Sequence, residues 1–581
     1  MKASDYIVEY LIAKKINDVF GYPGGMVTPL MDSFYQYADC ISAHITYHEQ
    51  AAALAACGYA QVSGNIGVAY ATSGPGATNL ITGICNAYFD SIPTIFITGQ
   101  VNESKGSYKL RQRGFQETDI VSIVKPITKY AKYIEAADEL PIELDKAYNE
   151  AMTGRKGPVL LDIPMNIFKE EVKPLQPLSH QKKRQTEEAV VATYKADIIN
   201  TLYQFLSRAE APVILIGAGI KSAGYANEFK EILSKLNIPI LSSMISFDVM
   251  QNAPNYYGFI GAYGSRTANF IIAKSDLVIA IGSRMDIRQV GINREKFAPH
   301  AKIIRFDVDK DELSFRVHDN ETQFCLDLKE TLSIIKHVHI EKNSWISLCN
   351  EIHHLLSGID KTPITAFIET LSQKIPDNAV ITTDVGQNQV WIAQSFRLKF
   401  GQQVLFSGGH GAMGYSLPAA IGAYYGSKGK KPVYCITGDG GMQMNIQELQ
   451  FIARERLPIK IIVLNNNALG MIRHFQEMYF NKRYFQTKPE CGYTAPNFAK
   501  IAEAYGLRAM RVNDVEDLQF VDSESELVEI LINEDTYIIP KLEFGKPNQD
   551  QEPLLDRNLY KRIMEMKPST YLNKTITPPN F

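Results

Sequence analysis

The stretch 434–471, YCITGDGGMQMNIQELQFIARERLPIKIIVLNNNALGM, sets a Gly-Asp-Gly at 438–440 and an Asn triplet at 465–467 on either side of a helix-like segment. The side chains on offer are hard oxygen donors: the carboxylate of Asp439 and an amide from Asn465, Asn466 or Asn467. Without Cys or His, such donors suit Mg²⁺ or Ca²⁺, and Mg²⁺ is commonly shared with phosphate groups. The glycines let backbone approach an anion closely. The pattern points to a metal-bridged diphosphate, against the plainer reading of a turn and a loop.

The elements that must position these groups are legible nearby. PVYCIT is a short apolar run, NIQELQFIARERL repeats apolar residues at helical spacing, and IKIIVL is a second buried run, which together read as one βαβ unit. Its parallel strands bring GDG and NNN out side by side at the carboxyl edge, where open α/β sheets bind ligands. A second constellation is HITYHEQAAALAACGYAQVSGNIGVAYATSGPGATN, 44–79. Glu49 precedes small residues that can pack a helix closely; in so apolar a setting a carboxyl would have a raised pKa and hold or relay a proton. Alone, it also reads as a surface glutamate at a helix start. GGHGAMGYSLPAAIGA, 408–423, sets Met413 before another small-residue helix, by spacing a core methionine. IGAGIKSAG, 216–224, follows an apolar strand with Gly217, Gly219 and Gly224, but Ser222 takes the third place of GxGxxG. A tight turn and a dinucleotide site both stay open there.

At 581 residues, 45% hydrophobic and 21% charged, the chain is of ordinary globular composition, and its length suggests three or four domains. A net charge of −3 gives no basic footprint for nucleic acid or an anionic membrane, so small molecules and further copies of the chain are the expected partners. Seven scattered cysteines without CxxC, several inside apolar runs, read as buried free thiols in a reducing compartment. The first 25 residues intersperse charges at helical spacing, with Ser4 as a candidate cap and Gly21 as a candidate helix end, rather than building a signal-peptide core. No segment has 18 uninterrupted apolar residues, so a soluble, cytoplasmic protein is expected. Strand-like runs alternate with helices in three blocks, separated near 179–190 by a charged stretch that reads as a solvated linker. The third block includes NAVITTDVG and a late strand TYIIPKLEF, and the last residues, from 546, read as a tail that wraps another surface or stays mobile.

GDG, then 24 residues, then NN resembles the thiamine diphosphate (ThDP) signature of the acetolactate synthase, pyruvate decarboxylase and pyruvate oxidase superfamily. Other segments follow in the same order, and the resemblance covers nearly the whole chain. It is similar above all to the catalytic subunit of acetolactate synthases. The resemblance implies an α/β fold of three consecutive doubly wound, mainly parallel domains: pyrimidine-binding (1–175), central FAD-type (190–350) and diphosphate-binding (360–545), followed by the tail 546–581. It implies Asp439, Asn466 and the Ala468 carbonyl as Mg²⁺ ligands, with Gly438, Gly440, Gly441, Met471 and, from DVGQNQVW, Gln387 and Asn388 around the cofactor; Asn388 stands where His is frequent. Gly411 would contact the pyrimidine and Met413 wedge between the cofactor's rings. HEQAA followed by GYA and SGPG resembles the segment of the activating glutamate, so Glu49 would hydrogen-bond the pyrimidine and promote the tautomer that removes the C2 proton.

GFQETD, 114–119, resembles the segment whose Phe115 and Gln116 line the substrate site. The acceptor side departs from the branched-chain biosynthetic pattern: Met26 replaces Ala, Asn102 replaces Pro, Met165 replaces Lys, Phe475 replaces Trp, and the loop before Phe115 is longer. GSRMDIRQVG (282–291) and IIRFDVDKDEL resemble FAD-contacting stretches, with Arg288 matching and Ile287 in place of Asp, which implies a structural FAD. The activity implied is decarboxylation of pyruvate and transfer of its two-carbon unit to a second keto compound. The implied assembly is a homodimer or homotetramer in which the Glu49 segment faces a neighbour's GDG segment, with room for a regulatory subunit. A nucleotide-activated keto sugar as acceptor, an oxidase or simple decarboxylase, and a non-catalytic binding protein are the alternatives.

Overall fold

The computed structural model describes residues 1–102, 111–173, 185–338, 343–521 and 523–568. Three six-stranded sheets, parallel throughout, carry the architecture. The first contains β1 (Asp18–Gly21), β2 (Ser42–Ile45), β3 (Gly67–Ala71), β4 (Thr94–Gln100), β5 (Tyr130–Tyr133) and β6 (Pro158–Pro164), in the order β2-β1-β3-β4-β6-β5. The second contains β7 (Pro212–Ile216), β8 (Ile240–Ser242), β9 (Tyr256–Phe259), β10 (Leu277–Ile281), β11 (Lys302–Asp307) and β12 (Thr322–Cys325), ordered β12-β11-β10-β7-β8-β9. The third contains β13 (Val380–Thr383), β14 (Gln403–Leu405), β15 (Val433–Gly438), β16 (Ile459–Asn465), β17 (Arg508–Val512) and β18 (Glu526–Leu531), ordered β14-β13-β15-β16-β18-β17. The inner strands, such as VYCIT and IKIIVL, are buried end to end because helices cover both faces. The first and third sheets share one topology, so each reverses strand order at the equivalent place: between β1 and β3, and between β13 and β15. Such reversals open the crevice in which doubly wound sheets bind ligands.

The chain forms two compact units: Met1–Pro177, Gln373–Gln389 and Lys399–Tyr537 carry the first and third sheets, and Leu178–Ser372, Val390–Leu398 and Ile538–Phe581 carry the second. Inside the first unit the two sheets share a core through the helices Glu49–Ser63 and Ser416–Gly426. Their small-residue runs have a steric cause. A Cβ on Gly58 would stand 2.2 Å from the Ala419 carbonyl oxygen, and one on Gly422 would stand 1.9 Å from that of Ala55. Only backbone-to-backbone contact fits.

Several expectations are corrected. The first helix is Ala3–Ala13; Ser4 lies inside its first turn, buried and hydrogen-bonded by Ser33, while Gly21 ends β1 rather than a helix. The charged linker is helical from Gln185, where the helix Gln185–Arg208 begins; 179–184 lie outside the described residues, as do 103–110 of the longer loop. TYIIPKLEF is not a strand: it makes a single bridge at Lys541, Pro540 has no N–H to give, and ELVEIL (β18) takes the sheet position instead. Of the two readings of the tail, the residues from 546 to 568 follow the first and lie against the chain itself. Leu555 and Ile563 enter the core of the second unit beside Trp345 and Phe270, and Lys274 caps the helix Arg557–Glu565 through the carbonyls of Met564 and Met566. The cysteines are all free, but only Cys57, Cys349 and Cys435 are buried; Cys40 and Cys325 are exposed.

Candidate cofactor and active site

Asp439 opens the helix Asp439–Met444 directly after β15 and is only 4% exposed. Its Oδ1 accepts from the Gly440 N–H at 2.9 Å and its Oδ2 from the Ala468 N–H at 3.1 Å, which ties the turn after β15 to the loop after β16. Burial pushes its carboxyl up to about 6 despite those two donors. A cation would relieve that cost. The Asn triplet divides its work. Asn465 donates to buried Glu529 at 2.6 Å and accepts from the Asn467 N–H, while Asn467 accepts from the Ala495 N–H at 2.7 Å. Asn466 donates to Gln387 Oε1 at 3.0 Å, which leaves its own carbonyl oxygen to face a ligand. Gln387 in turn donates to the Thr536 carbonyl, and Gly470 is required beside it because a Cβ there would stand 1.9 Å from Gln387 Oε1.

The crevice between β13 and β15 lies alongside. The Asn388 amide accepts from the Asp384 N–H through Oδ1, and its Nδ2 lies 3.4 Å from the positions that Cβ atoms on Gly386 and Gly438 would take. A donor thus looks into a cradle kept open by two glycines, as an anion requires. Among the described residues no group of three or more His, Cys, Asp or Glu could hold a metal. What stands here instead is one carboxylate, one amide oxygen and the main chain of Ala468, a donor set that fits Mg²⁺ sharing diphosphate oxygens.

Met413 reaches over the same turn: its Cε lies 3.0 Å from where a Cβ on Gly440 would be. The loop that presents it takes left-handed backbone at Gly411 (φ 72°) and Gly414 (φ 84°). Buried Asp384 holds that loop, accepting from the Gly414 N–H, the Ser416 N–H and the Ser416 hydroxyl at 2.9, 2.9 and 2.7 Å. The segment DVGQN was read for Gln387 and Asn388, and Asp384 was missed; its position at the end of a strand whose crevice faces a Gly-rich loop was the available signal. Met471 and Phe475 lie half-buried on the following helix, Gly470–Tyr479, with the Phe475 ring 4.6 Å from that of Tyr479.

The other half-site is at the carboxyl edge of the first sheet. Glu49 begins its helix after β2, is 8% exposed, and accepts from Asn79 at 2.9 Å. Its Oε1 lies 3.2 Å from where a Cβ on Gly76 would stand, and a Cβ on Gly74 would meet the Gln116 Cβ at 2.8 Å. The SGPG turn therefore brings Glu49 and Gln116 together, with Gln116 itself in left-handed backbone (φ 66°). Phe115 beside it is 84% exposed. Met26 donates its N–H to Thr72 at 3.2 Å, and its backbone and Cβ press on Gly99, which places it at the same edge. Asn102 follows β4 and Met165 follows β6, neighbours at that edge. Glu448 was also missed. Fully buried, with burial pushing it up to about 8, it accepts from the Tyr47 N–H at 2.9 Å, while Arg454 donates to the Ile45 carbonyl, so both grip the residues just before Glu49. Among the described residues no hydrogen bond or ion pair joins Glu49 to the Asp439 group.

In the second sheet the glycine turn after β7 lies at the strand reversal, and two of its N–H groups are occupied. Gly217 donates to the Ile281 carbonyl and Gly219 to that of Gly282, and a Cβ on Gly217 would stand 2.1 Å from Gly282 O. Close packing against Gly282 and Ser283 accounts for Gly217, and against Gly282 for Gly219. Arg288 is exposed, its guanidinium 5.7 Å from the Tyr263 ring.

Three family models match in sequence: the N-terminal TPP binding domain of thiamine pyrophosphate enzymes over residues 1–123, their central domain over 199–335, and their C-terminal TPP binding domain over 384–527. The chain is 34% identical over 568 residues to the acetolactate synthase large subunit of Lactococcus lactis subsp. lactis, covering 93% of this chain and 94% of that one. It is 37% identical to the acetolactate synthase of Arthrospira platensis (87% and 89% covered) and 34% identical to the acetolactate synthase isozyme 2 large subunit of Escherichia coli K12 (88% and 91% covered).

Proposed function

The chain belongs to the thiamine pyrophosphate enzymes, within the acetolactate synthase family, and from that premise we propose the residues through which it works as a ThDP-dependent carboligase joining the two-carbon unit of pyruvate to a second keto compound. Bound ThDP supplies a carbon nucleophile for the keto carbon and an electron sink for loss of CO₂. Asp439, the Asn466 carbonyl oxygen and the Ala468 carbonyl hold Mg²⁺, which is typical of the family, and Gly438, Gly440, Gly441, Gln387 and Asn388 receive the diphosphate. Gly411, Met413 and Met471 fix the ring system. Glu49 holds a proton at the pyrimidine, steadied by Asn79, and Gln116 donates to the oxygen that gains charge on the substrate. Met26, Phe115 and Phe475 border the acceptor. The observation that carries this reading is the Asp439–Ala468–Asn466–Gln387 arrangement at the edge where β13, β15 and β16 end.

Glu49 and Asp439 sit on different sheets without a direct link, which supports an active site completed by a second copy of the chain. A regulatory subunit and a cytoplasmic setting belong to the same proposal; no helix among the described residues is long and apolar enough to cross a membrane. FAD is given no step, and the visible flavin absorbance of the purified protein tests whether Arg288 serves one. The residues Met26, Asn102, Met165 and Phe475 also suit an acceptor bulkier than pyruvate, such as a nucleotide-activated keto sugar. The test is product analysis with pyruvate, ThDP and Mg²⁺, then with added 2-ketobutyrate or keto sugar. The reading expects 2-acetolactate from pyruvate alone; acetaldehyde or acetyl phosphate as the sole product would move the enzyme to the decarboxylases or oxidases.

A further inference from the structure

Gln116, which the proposed function sets at the substrate, has a left-handed backbone (φ 66°) that a residue with a side chain does not keep unless its surroundings hold it. On one side it presses on the SGPG turn: a Cβ on Gly74 would meet the Gln116 Cβ at 2.8 Å and its carbonyl oxygen at 2.9 Å. Just before it, Glu117 closes the turn by accepting from the Arg113 and Gly114 N–H groups. The hold from the other side comes from Gln100. This residue ends β4, is 3% exposed, and its Nε2 donates to the Thr118 carbonyl at 2.7 Å. The same nitrogen donates to Asp162 Oδ2 at 3.0 Å, and Gln100 Oε1 accepts from the Val101 N–H at 3.0 Å. The amide therefore cannot turn over without losing all of these bonds. Thr98 and Gln100, two apart on β4, share one face of the first sheet, and the Thr98 hydroxyl fixes Asp162 at 2.7 Å. Burying so many polar groups at a strand end is costly for packing alone. Here their last bond reaches the loop that carries Phe115 and Gln116.

We propose that Gln100 is a positioning residue for the carboligation: gripped by Asp162, its amide holds the Thr118 carbonyl and thereby keeps Gln116 in its left-handed backbone, which sets the Gln116 side chain for the substrate oxygen. The inference rests on the role given to Gln116 above. The Thr118 carbonyl also accepts from the Ile120 N–H at 2.9 Å, so the loop has a fold of its own and Gln100 adds the restraint on Gln116.

The test is a cycle of Gln100→Met, Gln116→Ala and the double variant in the full-length protein, read as kcat with pyruvate, ThDP affinity by calorimetry and apo melting temperature. Gln100→Met keeps the length of the side chain and removes its donor. It should lower kcat about tenfold to a hundredfold, the scale of a misplaced group, with ThDP affinity within twofold. Because it acts through Gln116, it should cost nothing further in Gln116→Ala, whereas a merely structural role would lower the melting temperature and leave kcat intact. Unchanged kcat in Gln100→Met beside an impaired Gln116→Ala overturns the Gln100 assignment alone, as do losses that add in the double variant or a fall in ThDP affinity. An unimpaired Gln116→Ala overturns the reading of Gln116 itself, and this proposal with it. Gln100→Asn, one methylene shorter, carries the same expectation; if neither variant folds, Gln100 is structural and the proposal falls.

Discussion

Asp162, at the end of β6, is the buried carboxylate whose removal should be easiest to read. It is 2% exposed, accepts from the Thr98 hydroxyl at 2.7 Å and from Gln100 Nε2 at 3.0 Å, and Gln100 Nε2 also donates to the Thr118 carbonyl at 2.7 Å, two residues beyond Gln116. Burial pushes its pKa up to about 7, with Asp119 adding to the shift and the two donors opposing it. That is roughly 3 units above the unfolded value, equivalent to about 4 kcal/mol between the two protonation states. The sign follows from proton binding. Below about pH 4 both states carry the proton; between about 4 and 7 the folded state binds more of it, so stability falls as pH rises, and above 7 the full cost is present. Asp162→Asn removes the titration but turns an amide donor toward Gln100, whose Oε1 is engaged by the Val101 N–H, at a cost of about 1–3 kcal/mol at every pH. The pH-independent term cancels when two pH values are compared. Relative to the unsubstituted protein, the variant should gain about 2–3 kcal/mol between pH 5 and pH 8, which raises its melting temperature by several degrees. Calorimetric melting of the apo proteins at pH 5, 6, 7 and 8 provides the comparison. Parallel curves for the two proteins would show that Asp162 does not titrate in this window and refute the reasoning.

Two further outcomes are expected. Asp384→Ala leaves three donors around the Met413 loop without their acceptor, at about 1–3 kcal/mol each, so the apo melting temperature and ThDP affinity should both fall; unchanged affinity would detach the Met413 loop from the cofactor. Gly422→Val forces a side chain into the Ala55 carbonyl and should cost at least about 1–3 kcal/mol or prevent soluble expression, whereas a melting temperature equal to that of the unsubstituted protein would contradict the close helix contact.

What the sequence disclosed and what it hid follow one physical division. Asp439 and the Asn triplet could be singled out because one βαβ unit sets their spacing: a strand, a helix and a strand of ordinary length bring the two motifs to one edge, whatever the rest of the chain does, while the choice of Asn466 and Ala468 came from resemblance. Gln116, and the role of Glu49 at a cofactor, came only through resemblance, since the turn that unites them, SGPG, lies more than twenty residues from Glu49 and about forty from Gln116. Asp384 and Glu448 went unrecognised because each does its work across a gap that only the folded chain closes, to a loop some thirty residues on and to Tyr47 at the far end of the sequence.

The confusion of TYIIPKLEF with ELVEIL has the same root. By local pattern the first is the better strand, rich in β-branched and aromatic residues, while the second carries Glu526 and Glu529 at positions that must be buried in a six-stranded parallel sheet. Neighbouring strands offset that cost: Asn465 on β16 donates to Glu529 from the first position of the triplet, and on β17 Arg511 and Arg508 stand 3.4 Å from Glu529 and Glu526, although the Glu526 oxygens accept no hydrogen bond. A strand that looks wrong alone is thus made right by the neighbours it has in the sheet. One of those neighbours is Asn465, which stands beside the Asn466 that the proposed function assigns to the metal. The residue that disguised the strand therefore helps to order the site, and neither role can be read without the pairing of β16 with β18.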